Sequence, residues 1–270
     1  MIEALLALLF GLLMGSFLNV CIYRWPRDLS VVRPRSHCPS CGEMIAWYDN
    51  VPVLSFLLLR GRCRHCKARI PVRYPIVELL TAALFFYFVY ALGPTVAALK
   101  MCVLAALLVG LIFSDLEERI LPDEFTLGGL ALGFLFALFV PTPSDFGSLL
   151  VYVALHKDLT GVARWVTEAA FGSLLPAFLL WAAGEIYFRI RHKEGLGLGD
   201  VKLIAMVGSF MGLPGALWTL ILGGVSGSIL GSLYIKATGR EFGTYELPFG
   251  TFLGVAALVL AVWHKEILGM

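Results

Sequence analysis

Apolar residues run along this chain in long, nearly unbroken blocks, not at the alternating or three-and-four spacing of elements with one wet face. Eight blocks reach or approach the about 20 residues needed to cross a bilayer. They are 2–23, 76–93, 95–114, 124–141, 169–190, 201–213, 214–235 and 248–268. The pattern predicts an all-α polytopic membrane protein with about eight transmembrane helices. The 201–213 block is short; it is expected to start just before Asp200 and to turn at Leu213-Pro214-Gly215. The first block opens MIEALLALLFGLLMG, with an acid and no basic stretch, so it reads as a retained span and not a cleaved signal peptide.

The polar intervals divide the chain into a first transmembrane helix (1–23), a loop (24–75) and a seven-helix membrane domain (76–270). Basic residues set the orientation. The 24–75 loop holds ten Lys and Arg against three acids. With that loop inside, seventeen basic residues fall on the cytoplasmic side and four (Lys100, Lys157, Arg164, Lys265) on the other. Both termini are then outside. The one sizeable outer connection, 142–168, contains VYVALHKDLTGVARWV, a stretch suited to a helix lying on the membrane surface.

Composition sharpens this picture. Hydrophobic residues make up 59% of the 270 and charged residues 15%, where an ordinary soluble domain carries about 25% charged. Mean hydropathy is +0.84. A water-soluble fold of this size cannot hide that much apolar surface, which excludes soluble, fibrous and disordered classes. Membrane lipid is the expected surrounding, and a net charge of +2 gives no reason to expect nucleic acid.

The basic loop carries Cys38-Pro39-Ser40-Cys41 and Cys63-Arg64-His65-Cys66. Each C-x-x-C turn points two sulfurs at one centre, and two turns complete a tetrahedron, so Cys38, Cys41, Cys63 and Cys66 are candidate ligands of a structural Zn2+. Neighbouring cations help keep the thiolates ionised. Two disulfides are the competing reading, which a cytoplasmic location disfavours; four unrelated thiols are the other. Cys21 and Cys102 fall in apolar blocks and read as packing residues.

Three carboxylates lie at block ends. Asp115 closes the third block in Leu111-Ile112-Phe113-Ser114-Asp115, where it is either functional or a solvated acid at a span end. Asp123, in Leu121-Pro122-Asp123, reads first as a helix N-cap. Asp200 ends Gly195-Leu196-Gly197-Leu198-Gly199-Asp200, whose three glycines let the backbone approach a partner closely, although Asp200 is also a candidate cap. Asp115 and Asp200 are 85 residues apart yet fall at the same membrane face. Two facing carboxylates share one proton, so one activates a water while the other protonates the departing group, the chemistry of an aspartic protease.

With these motifs in order, the chain resembles the bacterial type IV prepilin peptidases, which serve type IV pilus and type II secretion systems as leader peptidases and N-methyltransferases. The resemblance runs nearly end to end. It takes in Gly15-Ser16-Phe17-Leu18-Asn19-Val20-Cys21-Ile22-Tyr23-Arg24, both C-x-x-C pairs and Arg73-Tyr74-Pro75-Ile76-Val77-Glu78-Leu79. It also takes in Asp115, Leu121-Pro122-Asp123, and Gly197-Leu198-Gly199-Asp200 as a G-x-G-D signature. It implies that Asp115 and Asp200 are the catalytic pair and Asp123 is not. It implies prepilin and pseudopilin substrates with short basic leaders cleaved after glycine on the cytoplasmic side of the inner membrane. The new N-terminal residue, commonly phenylalanine, is then methylated with S-adenosylmethionine, supported by the zinc loop. Pilus or secretion machinery is an implied partner. Glu117, Glu118 and Glu124 form either an attractant for basic leaders or a solvated acidic turn. Asn19, Arg73 and Glu78 border the loop, and no residue is assigned to the methyl donor. The competing functions are a proton-coupled transporter, which would place acids at mid-membrane, and a non-catalytic assembly factor.

Overall fold

The structure is a computed structural model that describes residues 1–192, 196–238 and 247–263. The described residues are nearly all helical; in place of strands there are two isolated bridges, His37 with Met44 and Arg62 with Arg69. Five helices are long and apolar enough to cross a membrane, by length and composition. The backbone falls into two compact units, 1–110 and 111–270.

In the first unit, α1 (Ile2–Arg24) packs antiparallel against α3 (Arg73–Leu92). Gly11 and Gly15 are one turn apart and let the backbones touch. A Cβ on Gly11 would lie 2.7 Å from Ala82 Cα, and one on Gly15 would lie 2.6 Å from Glu78 Cα. One turn further along α1, Asn19 donates from Nδ2 to Tyr74 O at 3.1 Å. Close approach through small residues is how helices associate where lipid removes the hydrophobic drive. At the end of α1 the guanidinium of buried Arg24 donates to Ser30 O and Pro34 O, both at 2.7 Å, which folds the following segment back onto the helix end. A short helix, α2 (Leu54–Leu58), sits late in the loop. The unit closes with the first part of α4 (Val96–Glu118).

The second unit holds the end of α4, then α5 (Asp123–Phe136), α6 (Phe146–Leu155), α7 (Gly161–Arg191), α8 (Leu198–Thr238) and α9 (Phe249–Val262). Gly172 of α7 meets Gly208 of α8 backbone to backbone. Along the second half of α8, Gly223 and Gly231 receive Leu253 and Leu247, which seats α9. A straight 41-residue helix would be about 62 Å long, twice the about 30 Å of hydrocarbon. Instead α8 breaks at Gly212, whose φ of +68° is left-handed and whose Cβ would run into Pro143 O. Pro214 follows in the first turn of the new segment, where its missing N–H costs nothing.

Of the eight expected spans, five helices meet the length and composition requirement. The expected 201–213 and 214–235 spans form one element broken at Gly212, just ahead of the expected turn. The 124–141 block is helical only over the 14 residues of α5, and α9 has 14 described residues, with 264–268 of the expected last span outside the described residues. VYVALHKDLTGVARWV does not form one helix. It ends α6 at Leu155, adopts a left-handed residue at His156 and begins α7 at Gly161. Fully buried Glu168 on α7 accepts the Gly147 and Ser148 N–H groups at 3.0 and 2.8 Å and so caps α6 from outside.

Candidate active site and metal centre

Asp115 lies in the last turn of α4, with three helical residues still to follow, close to the span end expected for it. It is 5% exposed and Asp200 is 8% exposed, values rare for acids without a role. Asp200 is the third residue of α8, inside its first turn and not at its cap, and its N–H donates to Gly197 O at 3.1 Å. A Cβ on Gly197 would stand 3.4 Å from Asp200 Oδ2, so bare backbone lines that carboxylate. Gly195 lies outside the described residues.

Leu121 brings the two acids into one place. A Cβ on Gly199, beside Asp200, would lie 3.1 Å from Leu121 Cβ. A Cβ on Gly250 would lie 2.8 Å from Leu121 Cδ1 and 3.2 Å from Asp115 Cγ. The same leucine therefore covers the glycine next to one carboxylate and the glycine touching the other, and each charge is within electrostatic reach of the other. Asp115 Oδ2 accepts two hydrogen bonds from Thr251, at 2.6 Å from its N–H and 2.7 Å from its hydroxyl.

Asp123 is not the N-cap of α5. Pro122 holds that position, Asp123 is the first helical residue, and its Oδ1 accepts from Lys202 Nζ at 2.6 Å. That pair ties the start of α5 to the start of α8. Glu117 and Glu124 are exposed near this point, and Glu118 is half-buried. The leucine bridge, the threonine donors and the Lys202 pair all escaped sequence reading. The available signal was Thr251 itself, a hydroxyl in the first turn of an otherwise apolar helix opened by Pro248.

In the first unit the sulfurs of Cys38, Cys41, Cys63 and Cys66 all lie within 4.8 Å of one another. Cys38 Sγ and Cys66 Sγ are 3.8 Å apart, and a tetrahedron with Zn–S bonds of about 2.3 Å has edges of about 3.8 Å. All four are free thiols, which removes the disulfide reading. The two knuckles repeat one backbone design. Cys38 N–H donates to Glu43 O and Gly42 N–H to Cys38 O; Cys63 N–H donates to Ala68 O and Lys67 N–H to Cys63 O. Gly42 and Lys67 both turn left-handed after the second cysteine. Burial opposes ionisation of Cys38, but the Ser40 and Cys41 N–H groups and the neighbouring thiols outweigh it and bring its thiol down to about 7. Cys41 receives the Glu43 N–H, yet burial and the other cysteines push it up to about 11. The donor set and its spacing fit a tetrahedral, soft-metal site closed to solvent ligands. Cys21 and Cys102 are buried packing residues, as expected.

Glu78 is buried and accepts the Val53 N–H at 2.7 Å, fastening the loop to α3. Arg64 grips Asp49 with two hydrogen bonds of 2.7 and 2.6 Å, which hold the Asp49 carboxyl below its usual range. Beside the first knuckle, an open cleft of about 310 Å³ lies between the last turns of α1 and the 31–36 and 45–50 segments. Its lining includes Arg24, Arg35 and Trp47 and no acid.

Two family profiles match the chain. The Bacterial Peptidase A24 N-terminal domain covers residues 9–92, which include the four cysteines. The Type IV leader peptidase family covers residues 102–233, which include Asp115 and Asp200. Among curated proteins, a prepilin leader peptidase/N-methyltransferase of Myxococcus xanthus is 41% identical over 88% of this chain, which spans 64% of that protein's length. Proteins of the same name from Pseudomonas putida and Pseudomonas aeruginosa are 33% and 32% identical, each over 97% of this chain and 91% of theirs. No solved structure matches.

Proposed function

The chain belongs to the type IV leader peptidase family, and from that premise we propose that it is a membrane-embedded aspartic endopeptidase that removes the leader of type IV prepilins and pseudopilins and N-methylates the new N-terminus. One observation carries the site assignment. Two buried carboxylates, Asp115 and Asp200, lie within electrostatic reach, with Leu121 against the glycine next to Asp200 and against the glycine touching Asp115. Like charges so placed retain one proton between them. The ionised carboxylate takes a proton from water as the water attacks the scissile carbonyl. The protonated carboxylate then delivers its proton to the departing amine. The exposed Glu117 and Glu124 lie where a basic leader would be drawn in.

The cysteine cluster would hold Zn2+ as a structural tie for a loop with little core of its own. S-adenosylmethionine would be the methyl donor, as the N-methyltransferase name of the relatives implies. The cleft beside α1 offers Arg35 to a carboxylate, Arg24 being engaged by Ser30 O and Pro34 O, and no acid to a sulfonium, so it does not fit the whole donor and no residue is assigned to it. The distribution of basic residues supports a cytoplasmic basic loop with both aspartates on the same side, and membership of the family supports the inner membrane as the location and pilus or secretion machinery as the downstream partner. A proton-coupled transporter is not favoured, since the relatives are named as peptidases.

Processing of a prepilin in membranes, with mass spectrometry of the mature N-terminus, tests this reading. Asp115→Asn and Asp200→Asn are each expected to lower cleavage on the order of 10³-fold or more while zinc content stays at wild type. Cleavage surviving either change removes that aspartate from the mechanism. A mature N-terminus lacking the added methyl in wild type removes the methyl-transfer half.

A further inference from the structure

α9 begins at Phe249 with Pro248 at its cap, and proline's side chain can satisfy none of the N–H groups a helix start leaves open. The acceptor comes from elsewhere. Asp115 Oδ2, contributed by α4, takes the Thr251 N–H at 2.6 Å and the Thr251 hydroxyl at 2.7 Å. The hydroxyl has one hydrogen and two acceptors within range, Asp115 Oδ2 and Ile112 O at 3.4 Å, and the carboxylate is the nearer by a wide margin. A backbone N–H can only donate. With the hydroxyl donating to this nearer acceptor, Thr251 takes up both in-plane lone pairs of Oδ2.

We propose that Thr251 is the positioning residue of the catalytic pair: it pins Asp115 by Oδ2 and leaves Oδ1 as the oxygen that exchanges protons with the attacking water and with Asp200. This rests on the reading of Asp115 and Asp200 as the dyad. A carboxylate free to rotate would present either oxygen, and misplacement of a reacting atom by an ångström is costly. Gly250 makes the arrangement possible, because any side chain there would press on the Asp115 carboxyl carbon.

The test compares Thr251→Val, which removes the hydroxyl and keeps the branch, with Thr251→Ser, which keeps the hydroxyl and removes the methyl. Steady-state cleavage of a prepilin, zinc content, thermal midpoint and methylation of an already mature peptide are read in parallel. Thr251→Val should lower kcat about 10- to 100-fold with KM unchanged, while Thr251→Ser stays within about threefold of wild type. Methylation of the mature peptide and zinc content should be unmoved in both. Equal impairment of the two variants, or a Thr251→Val enzyme at wild-type kcat, overturns the proposal. If Thr251→Val does not fold, Thr251→Ala, which adds no bulk, carries the same comparison. Asp115→Asn in the same assay separates the two levels. Retained cleavage there sinks the dyad itself, whereas an inactive Asp115→Asn beside a fully active Thr251→Val sinks only the role of Thr251.

Discussion

A methyl group added at Gly250 would meet Leu121 Cδ1 at 2.8 Å and Asp115 Cγ at 3.2 Å, so the smallest possible enlargement of this residue reaches the Asp115 carboxyl, the proposed catalytic group. Gly250→Ala is expected to slow cleavage about tenfold or more without loss of zinc, measured as kcat on prepilin. Gly199→Ala crowds only Leu121, a half-buried side chain that can yield, and should cost less. A shared proton also predicts a bell-shaped dependence of cleavage on pH, with two apparent titrations belonging to the pair. A profile with a single titration would contradict exchangeable acid and base roles. The acids themselves were legible in the sequence, because charge at the edge of an apolar block is conspicuous. Their partners were not. Thr251 is 136 residues from Asp115, and one hydroxyl in an apolar helix looks like any interhelical contact until the helix start is seen to lack a cap.

Between elements, the α1 and α3 pairing has a fixed antiparallel register: Asn19 with Tyr74, Gly15 with Glu78, Gly11 with Ala82. Gly15→Ala would place a carbon 2.6 Å from backbone and force the helices apart. A loss of about 1–3 kcal/mol is expected, read as a lower thermal midpoint in detergent. Glu78 works at the same joint. Glu78→Gln keeps an acceptor for the Val53 N–H, whereas Glu78→Ala orphans it, so only the alanine variant should make the 24–72 loop readily cleaved by added protease. The blocks that became α1, α3 and α4 were plain in the sequence because hydropathy alone decides them. The element ends were not. Asp123 looked like a cap, but Pro122 already held the cap position and Lys202 claimed the side chain. The outer helix was expected through residues that divide at His156, where the backbone turns left-handed and Thr160 starts the next helix.

For the whole molecule, the cysteine cluster and the helices answer to different forces. One metal ion on the four cysteines would hold the loop, while burial and close backbone contact hold the spans. Stripping zinc with a chelator should therefore loosen residues 28–72 to protease yet leave far-UV circular dichroism close to unchanged, with one zinc per chain restoring resistance. Substantial zinc in a variant lacking all four cysteines would refute the assignment. The Thr251 contact has a further consequence, in time and not in space. Ribosomes deliver α4 first, α8 later and α9 later still, so a nascent chain carries both aspartates in the bilayer before the helix that steadies one of them exists. Full proteolytic competence would then arrive with α9, and a chain truncated after residue 238 should be membrane-inserted but cut at least as slowly as Thr251→Val. The order of synthesis would itself hold cleavage back until α9 is made.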